Sequence, residues 1–119
     1  MTTIKSHKDL EVWKKSIALV SEVYTLTRDF PKEEIFGITS QIRRDVISIP
    51  ANIAEGAGRN SKKEFIQFLF ISLGSLSELE TLLILANNLN LIGDNSNLNT
   101  EVTSIRRMLL GLINSLKSK

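Results

Sequence analysis

Apolar residues recur every three or four positions along most of the chain, with polar residues between them. This spacing indicates helices that each bury one face, and no stretch shows the alternation typical of a strand. The clearest example is a run of isoleucine and valine in the first half of the chain. Its members are Ile35, Ile38, Ile42, Val46, Ile49 and Ile53. The pattern predicts an all-α protein.

Turn residues and proline divide this pattern into four helices. The predicted helices run from about Lys8 to about Asp29, from between Lys32 and Gly37 to about Ala57, from Ser61 to about Asn90, and from between Asn97 and Asn99 to about Leu116. Helices of this length joined by short turns pack naturally as an antiparallel up-down-up-down four-helix bundle. We expect one domain over residues 1–119, with a flexible N-terminus of about residues 1–7.

Three local signals refine the second and third helices. Pro50 lies inside the second helix, where it lacks an N–H and crowds the carbonyl of Val46, so a kink is predicted there. Gly56 and Gly58 suit a left-handed stop at the end of that helix. The run from Ser61 to Glu64 fits a capping box, in which each side chain binds a backbone N–H at the start of the third helix.

The first and third helices carry more apolar residues than one buried face requires. Left uncovered, the surplus would form a larger apolar patch than monomers usually expose. The alternative is that the third helix is simply the most buried one. We predict a homo-oligomer whose interface residues are Val12, Leu19, Val23, Leu26, Ile66, Phe70, Leu73 and Ile84.

The residue types that carry catalysis are scarce. There is no cysteine, and the single histidine, His7, lies in the expected flexible N-terminus. No Glu-x-x-His pair of a metal-binding bundle occurs. The glycines before Arg59 lack the preceding strand and the lysine of a phosphate-binding P-loop, so we interpret them as a helix-hairpin turn. We therefore expect no catalytic residue, no cofactor and no metal.

The N-terminus and the most apolar stretch indicate where in the cell the protein is expected. The N-terminus lacks the apolar core of a signal peptide, which favours the cytoplasm. The stretch from Phe65 to Ala86 is apolar enough to consider as membrane-spanning, but Glu78 and Glu80 would be costly in lipid. We expect neither a membrane nor a small-molecule substrate.

Basic residues are the remaining candidates for a function. They fall in three clusters along the chain: Arg43 and Arg44; Arg59, Lys62 and Lys63; and Arg106 and Arg107. Although the net charge is only +2, an oligomer would repeat each cluster around its axis and could bind RNA or DNA phosphates with little sequence preference. The alternative is that these are solvated or paired side chains, with Arg43 bound to Glu80 or Glu55.

Three segments carry a resemblance to a known family. Asp9–Lys15, Gln41–Arg44 and Ser48–Arg59, in this order, resemble the 23S rRNA intervening-sequence proteins, and the likeness extends from about Asp9 to about Leu116. The resemblance implies a four-helix protomer that assembles into a ring, typically of five copies, and it supplies no established activity. Related ring-forming bundles, the accessory proteins of diversity-generating retroelements, are thought to act through nucleic acid.

The sequence and the resemblance together predict a function without catalysis. The expected protein is a cytoplasmic homo-oligomer, a pentamer by resemblance, that binds structured RNA or DNA through its basic residues. The alternative is a scaffold for another protein, with no role for nucleic acid.

Overall fold

The computed structural model of the protein describes residues 6–93 and 96–118, and within them it contains helices and no strands. The four long helices are α1 (Glu11–Thr27), α2 (Ile38–Ala57), α3 (Lys62–Asn88) and α4 (Ser96–Lys117). Two short 3-10 turns, His7–Asp9 and Lys32–Glu34, precede α1 and α2. The predicted all-α four-helix fold is confirmed.

Each helix packs against its neighbours in chain order, and α4 returns to contact α1. The bundle is elongated, 48 × 25 × 19 Å. The most extensive contact joins α2 to α3, which run antiparallel: the hydroxyls of Ser48 and Ser75 are hydrogen-bonded at 2.8 Å, and Ser72 Oγ donates to the Ile49 carbonyl at 2.9 Å. Small polar residues thus hold these two helices in register.

The core follows the predicted apolar face of α2, where Ile42, Val46, Ile49 and Ile53 are fully buried. Ile35 is an exception at 48% exposed, because it lies before the helix begins. The other helices complete the core through a set of buried leucine, valine and isoleucine side chains. The fully or almost fully buried members are Leu19, Val23, Leu69, Leu76, Leu79, Leu83, Val102, Ile105, Leu109 and Ile113.

Three residues of α1 that were predicted at the oligomer interface lie in the core instead. Val12, Leu19 and Val23 were expected at an oligomer interface, but they are 4%, 1% and 0% exposed within a single copy. On another side of the same helix, Ile17 is 42% exposed. The interface prediction is wrong for those three residues, because spacing alone does not tell which of two apolar seams faces the neighbouring helices.

The left-handed stop lies at the end of α3 instead of α2. Gly58 has a right-handed backbone with φ −81°, so the prediction for Gly56 and Gly58 is wrong. Asn90 has φ 62°, and the N–H groups of Asn90 and Leu91 donate to the carbonyls of Asn87 and Ala86 at 3.0 and 2.8 Å. These two bonds form a Schellman motif.

The capping box predicted at α3 is half formed. The Ser61 hydroxyl accepts from the Glu64 N–H at 3.0 Å, but the Glu64 carboxylate pairs with Arg59 at 3.4 Å. A reciprocal box forms at Ser6 instead, before the first 3-10 turn, and the His7 ring there packs edge-on against Trp13. The expected flexible segment otherwise falls outside the described residues, as do positions 94 and 95 of the predicted turn before α4.

Helix α2 continues through Pro50, which is buried. Polar side chains donate to the carbonyls just before it. Asn52 Nδ2 donates to the Ser48 carbonyl at 2.8 Å, and Ser72 Oγ donates to the Ile49 carbonyl. These two bonds tie the segment before Pro50 to its own next turn and to α3, whereas the backbone bond that the proline removes is the one to the Val46 carbonyl. The kink at Pro50 remains a prediction.

Candidate functional site

The structure distributes the candidate basic residues over three separate places. Arg43 lies between α1 and α2, Arg59 follows the end of α2, and Arg106 lies between α4 and α3. Arg43 does not pair with Glu80 or Glu55, the partners that the sequence suggested. Glu80 binds Arg106 at 2.8 Å, and Glu55 binds Arg59 at 2.9 Å. A single copy therefore has no continuous basic band built from all seven residues.

Each place combines a held arginine with an exposed basic neighbour. Arg43, Arg59 and Arg106 are bound to neighbouring side chains, and Arg59 also covers the Phe68 ring at 5.0 Å. The exposed basic residues beside them are Arg44, Lys62, Lys63 and Arg107. Contacts within the protein thus hold one arginine of each cluster in place, and the basic residues beside it have exposed side chains.

Arg43 is the most firmly placed of these side chains. Its Nε donates to Thr27 Oγ1 at 2.9 Å, and Thr27 in turn donates to the Val23 carbonyl at 2.9 Å. The guanidinium carbon lies 4.5 Å from the centre of the Tyr24 ring, within cation–π distance. These contacts fix the guanidinium at the groove between α1 and α2.

A groove of about 380 Å³ lies beside Arg43 at the start of α2. Its lining combines two arginines, two hydroxyl side chains and apolar or aromatic side chains from three segments. The lining residues are Tyr24, Ile35, Thr39, Ser40, Arg43, Arg44 and Ile47. Thr39 is 4% exposed, and its hydroxyl has no hydrogen-bond partner within the described part of the chain.

A second groove, of about 570 Å³, runs along α4 alone. Arg107 lies at it, together with threonine, serine, asparagine and methionine side chains of the same helix. Among the described residues, α4 alone supplies the lining, so groups from different elements do not converge there as they do in the groove at Arg43.

Asp45 and Glu78 form a carboxyl pair between α2 and α3. Asp45 is 7% exposed, and burial raises its pKa from 3.8 to about 7, helped by a hydrogen bond to Glu78 and by the charge of Glu78 and opposed by Arg44. A hydrogen bond between two carboxyl groups requires a proton on one of them, and the raised pKa makes Asp45 the group that holds it. Asp45 Oδ2 still lacks a partner in the described structure. Within that same part of the chain, no group of three metal-binding side chains occurs.

The second surface of interest is the outer face of α3, formed by Phe70, Ile71, Ile84, Leu85 and Leu89. These side chains are 46%, 49%, 55%, 45% and 61% exposed. At 100° per residue they lie within an arc of about 140°. Gly74 and Thr81 fall near the middle of this arc, Gln67, Ser77 and Glu78 also fall within it, and all five are exposed. The large apolar side chains therefore form two groups, one at Phe70 and Ile71 and one from Ile84 to Leu89, with a more polar stretch between them. Lys117 lies at the edge of this face, and its Nζ is 5.2 Å from the centre of the Phe70 ring.

Helix α3 is also long and apolar enough to cross a membrane by length and composition alone, and 28% of its most apolar window is buried in this structure. Such a helix is weak evidence for a membrane, because core helices of other proteins pass the same test. Here one side of α3 packs against α2 in a compact bundle.

The remaining predicted interface residues divide into two groups. Phe70 and Ile84 belong to the outer face of α3, whereas Leu26, Ile66 and Leu73 are half-buried against the core. Exposure makes the first two available to another copy, and their role at an interface remains a prediction.

The sequence analysis overlooked Thr39 and Asp45. Both lie in register with the buried positions of α2: Thr39 is three residues before Ile42, and Asp45 is three residues after it. A polar or charged residue at core spacing was the available signal, because such a group is buried only at a cost. The contact of Tyr24 with Arg43 was overlooked as well, because it depends on how α1 and α2 pack.

Fold and sites together define an all-α four-helix bundle with a polar α2–α3 contact, an arginine groove and an exposed apolar helix face. The comparisons make this more specific: the 23S rRNA-intervening sequence protein family matches residues 8–111, and the chain belongs to that family. The fold is similar to the crystal structure of a protein of unknown function from the S23 ribosomal protein family of Bacteroides thetaiotaomicron. The identity is 29%, the TM-score is 0.80, and the match covers 87% of this chain and 95% of the other. No curated protein matches the chain.

Proposed function

We propose that the protein is a non-catalytic, cytoplasmic homo-oligomer that associates through the outer face of α3. The observation that carries this proposal is the group of five large apolar side chains on one side of α3, each at least 45% exposed. Burying such a surface against another copy removes apolar area from water, which is the main driving force of association. Gly74, at the middle of the face, leaves room for a neighbouring helix to approach closely.

The proposed number of copies is five. It comes from the family resemblance, whereas the exposed face argues only for association. Light scattering during size-exclusion chromatography should give about five times the chain mass of 13.3 kDa, roughly 66 kDa. A single species of 13.3 kDa at micromolar concentration would end the proposal, and a dimer or tetramer would overturn only the number.

A matched pair of variants tests the surface. Ile84→Glu places a charge in the outer face of α3 and should reduce the oligomeric mass, because a charge at an apolar contact is desolvated without a partner. Leu110→Glu makes the same kind of change on α4, where the side chain is 42% exposed, and should leave the mass unchanged. If both variants keep the mass, or only Leu110→Glu lowers it, the interface lies elsewhere.

Nucleic-acid binding is the second candidate function, and the exposed basic residue in each of the three clusters supports it. Replacing Arg44, Lys63 and Arg107 with glutamine should weaken binding to unrelated RNA and DNA sequences alike. The slope of log K against log salt should flatten by about 0.9 for each lost contact on duplex DNA, or about 0.7 on single strands. Changing Lys8, Lys15 and Lys32 to glutamine is the charge-matched control, and these three are also exposed.

One binding measurement decides whether the oligomer acts through nucleic acid. If the wild-type oligomer shows no salt-dependent binding to RNA or DNA at low ionic strength, the nucleic-acid function fails. The proposed oligomer would then act as a scaffold for another protein, which is the alternative function.

A further inference from the structure

We propose that the Asp45–Glu78 carboxyl pair makes association through the outer face of α3 depend on pH, and that the copies hold together more tightly while the pair keeps a proton. This regulation rests on the proposed function, because it acts on the same face. Two features of the molecule meet here: a buried carboxyl between α2 and α3, and its partner glutamate on the exposed face.

The packing of α2 against α3 places the two carboxyl groups opposite each other. The hydroxyls of Ser48 and Ser75 are hydrogen-bonded at 2.8 Å across these antiparallel helices. Asp45 lies three residues before Ser48, and Glu78 lies three residues after Ser75. Residues three apart on a helix are neighbours on its surface, so the register that joins the two serines also joins the two carboxyl groups. A hydrogen bond between Asp45 and Glu78 agrees with this register.

The two members of the pair differ in exposure. Asp45 is 7% exposed, its Oδ2 is closed to solvent, and that oxygen has no partner within the described residues. Glu78 is exposed. A buried carboxyl is disfavoured as an anion, because burial removes the water that stabilises the charge. The proton therefore resides on Asp45, and Glu78 carries the negative charge of the pair at the surface.

Glu78 lies in the polar stretch that divides the outer face of α3. Ile71, Glu78 and Leu85 follow one another at intervals of seven residues, about two helical turns, so they form one line along the helix. Ile71 and Leu85 belong to the two apolar groups of this face and are 49% and 45% exposed. A second copy that covers both apolar groups therefore also covers Glu78 and removes water from its charge.

The proton on Asp45 determines how unfavourable it is to cover Glu78. While Asp45 is neutral, its O–H donates to the Glu78 carboxylate, and this bond partly replaces the water lost at the contact. When Asp45 ionises, neither carboxyl has a proton to donate, the two charges repel, and Glu78 depends on water alone. Association then weakens, because a less well satisfied charge is covered.

The direction and the pH range follow from linkage. Covering the face withdraws water from the pair, so the pKa of Asp45, about 7 in a single copy, is higher in the oligomer. A group whose pKa rises on association stabilises the oligomer fully below its pKa in the free chain. That effect is lost as pH rises through its pKa in the oligomer. One proton at each contact gives a fall in the association constant of up to about tenfold between pH 6 and pH 8.

The charged groups nearest to Asp45 come from α2 and α3. Glu78 on α3 raises its pKa, and Arg44 on α2 lowers it. Helix α1 packs on another side of α2, where it holds Arg43, and Arg43 lies about 200° around the helix from Asp45.

Two short turns also pack against α2. The turn Lys32–Glu34 precedes the helix and carries one lysine and two glutamates, and the turn His7–Asp9 carries a histidine, a lysine and an aspartate. His7 is the single histidine of the chain, and histidines ordinarily titrate in the pH range of interest. A variant of His7 is therefore a necessary control.

The experiment measures the dissociation constant of the full-length chain by sedimentation velocity on dilution, at pH 6, 7 and 8 and at one ionic strength. Equal urea is added to every sample if the oligomer does not dissociate on dilution. The wild type should dissociate up to about tenfold more readily per contact at pH 8 than at pH 6. Asp45→Asn keeps a side-chain donor and cannot ionise, so it should stay as tight at pH 8 as at pH 6. Glu78→Gln removes the charge from the face and should also lose the pH dependence.

Two control variants separate the pair from other titrating groups. Glu22→Gln makes the same change as Glu78→Gln on an exposed part of α1, and His7→Gln removes the histidine. Both should keep the pH dependence of the wild type. Calorimetric dilution at pH 8 in two buffers of different ionisation enthalpy should report proton release from the wild type and none from Asp45→Asn. A pH dependence that persists in Asp45→Asn, or that disappears in His7→Gln, would overturn the proposed regulation.

The outcomes distinguish this regulation from the oligomer itself. A dissociation constant that is equal at pH 6 and pH 8, or that falls as pH rises, ends the regulation and leaves association through α3 standing. A single species of 13.3 kDa at every pH and micromolar concentration ends both, and so does an oligomeric mass that Ile84→Glu leaves unchanged.

Discussion

The close contact between α2 and α3 at Gly56 gives the sharpest prediction about stability. A Cβ atom added at Gly56 would lie 2.7 Å from Phe68 Cβ, 3.0 Å from Phe65 Cδ1 and 3.2 Å from the Phe65 carbonyl oxygen. Phe68 Cβ is attached directly to the backbone, so no side-chain rotation moves it away. Gly56→Ala therefore forces the two helices apart at this end of the bundle.

Two opposing effects determine the magnitude. Replacing glycine with alanine inside a helix gains up to about 1 kcal/mol from propensity, and less here because Gly56 lies in the last turn of α2. Overpacking a close contact costs about 1–3 kcal/mol. We expect a net loss of about 1–2 kcal/mol in the free energy of unfolding, and a fall in melting temperature of about 4 °C for each kcal/mol.

The assay compares Gly56→Ala with Gly111→Ala in urea and thermal unfolding. Gly111 lies within α4, is exposed, and a Cβ there would meet nothing within 4 Å. Gly111→Ala should thus gain about 0.5–1 kcal/mol from propensity alone. All samples must share one protein concentration, because association shifts apparent stability.

The pair of variants also defines the refuting result. If Gly56→Ala is as stable as the wild type while Gly111→Ala shows its expected gain, the close approach at Gly56 does not set the spacing of α2 and α3. The account of this helix contact would then be wrong, whatever the oligomeric state.

Three further predictions concern Asp45, Asn90 and Pro50. The pKa of Asp45 is raised from 3.8 to about 7 in the folded state. Between these pH values the folded state therefore holds a proton that the unfolded state has released. The stability contributed by Asp45 thus falls as pH rises from about 4 to about 7, and it is constant above pH 7. Asp45→Asn should remove this slope and gain about 1–2 kcal/mol above pH 7 in unfolding measured against pH. This is less than the about 4 kcal/mol of the full shift, because relaxation and water lower the cost of a buried charge. An unchanged slope would contradict the raised pKa of Asp45. Asn90→Ala should cost about 1 kcal/mol in urea unfolding, because φ is 62° there, whereas Asn90→Gly should not, and equal losses would refute the Schellman stop. Pro50→Ala should restore the backbone bond to Val46 yet lower the oligomeric mass if a kink aligns α2, and a stabilised variant of unchanged mass would show that no kink is needed.

Helices and their approximate ends follow from local chemistry, so the sequence was sufficient for them. Apolar spacing predicted the buried face of α2 from Ile42 to Ile53, and Ser61 was identified correctly as the N-cap of α3. These features depend on residues within one or two turns of each other. The family resemblance pointed to the same fold, which the comparisons confirm.

Features that depend on how the helices and the turn between them pack needed the tertiary structure. Glu64 was free, by sequence, to complete its capping box, but the packed turn brings Arg59 close enough to bind it. Gly56 was interpreted as a stop because glycine suits one, whereas its role is to let Phe65 and Phe68 approach. In both cases a partner on another helix or turn outweighs the local preference.

The sequence by itself determined that the chain forms four helices with one apolar face too many. Which seam of α1 enters the core, how Arg43 reaches Tyr24 and Thr27, and why Asp45 meets Glu78 were decided only by the rotation of each packed helix. Spacing along a helix fixes which residues share a face, since that depends on 3.6 residues per turn. It leaves open which face turns inward, because that choice is made jointly by all four helices when they bury their apolar surface together.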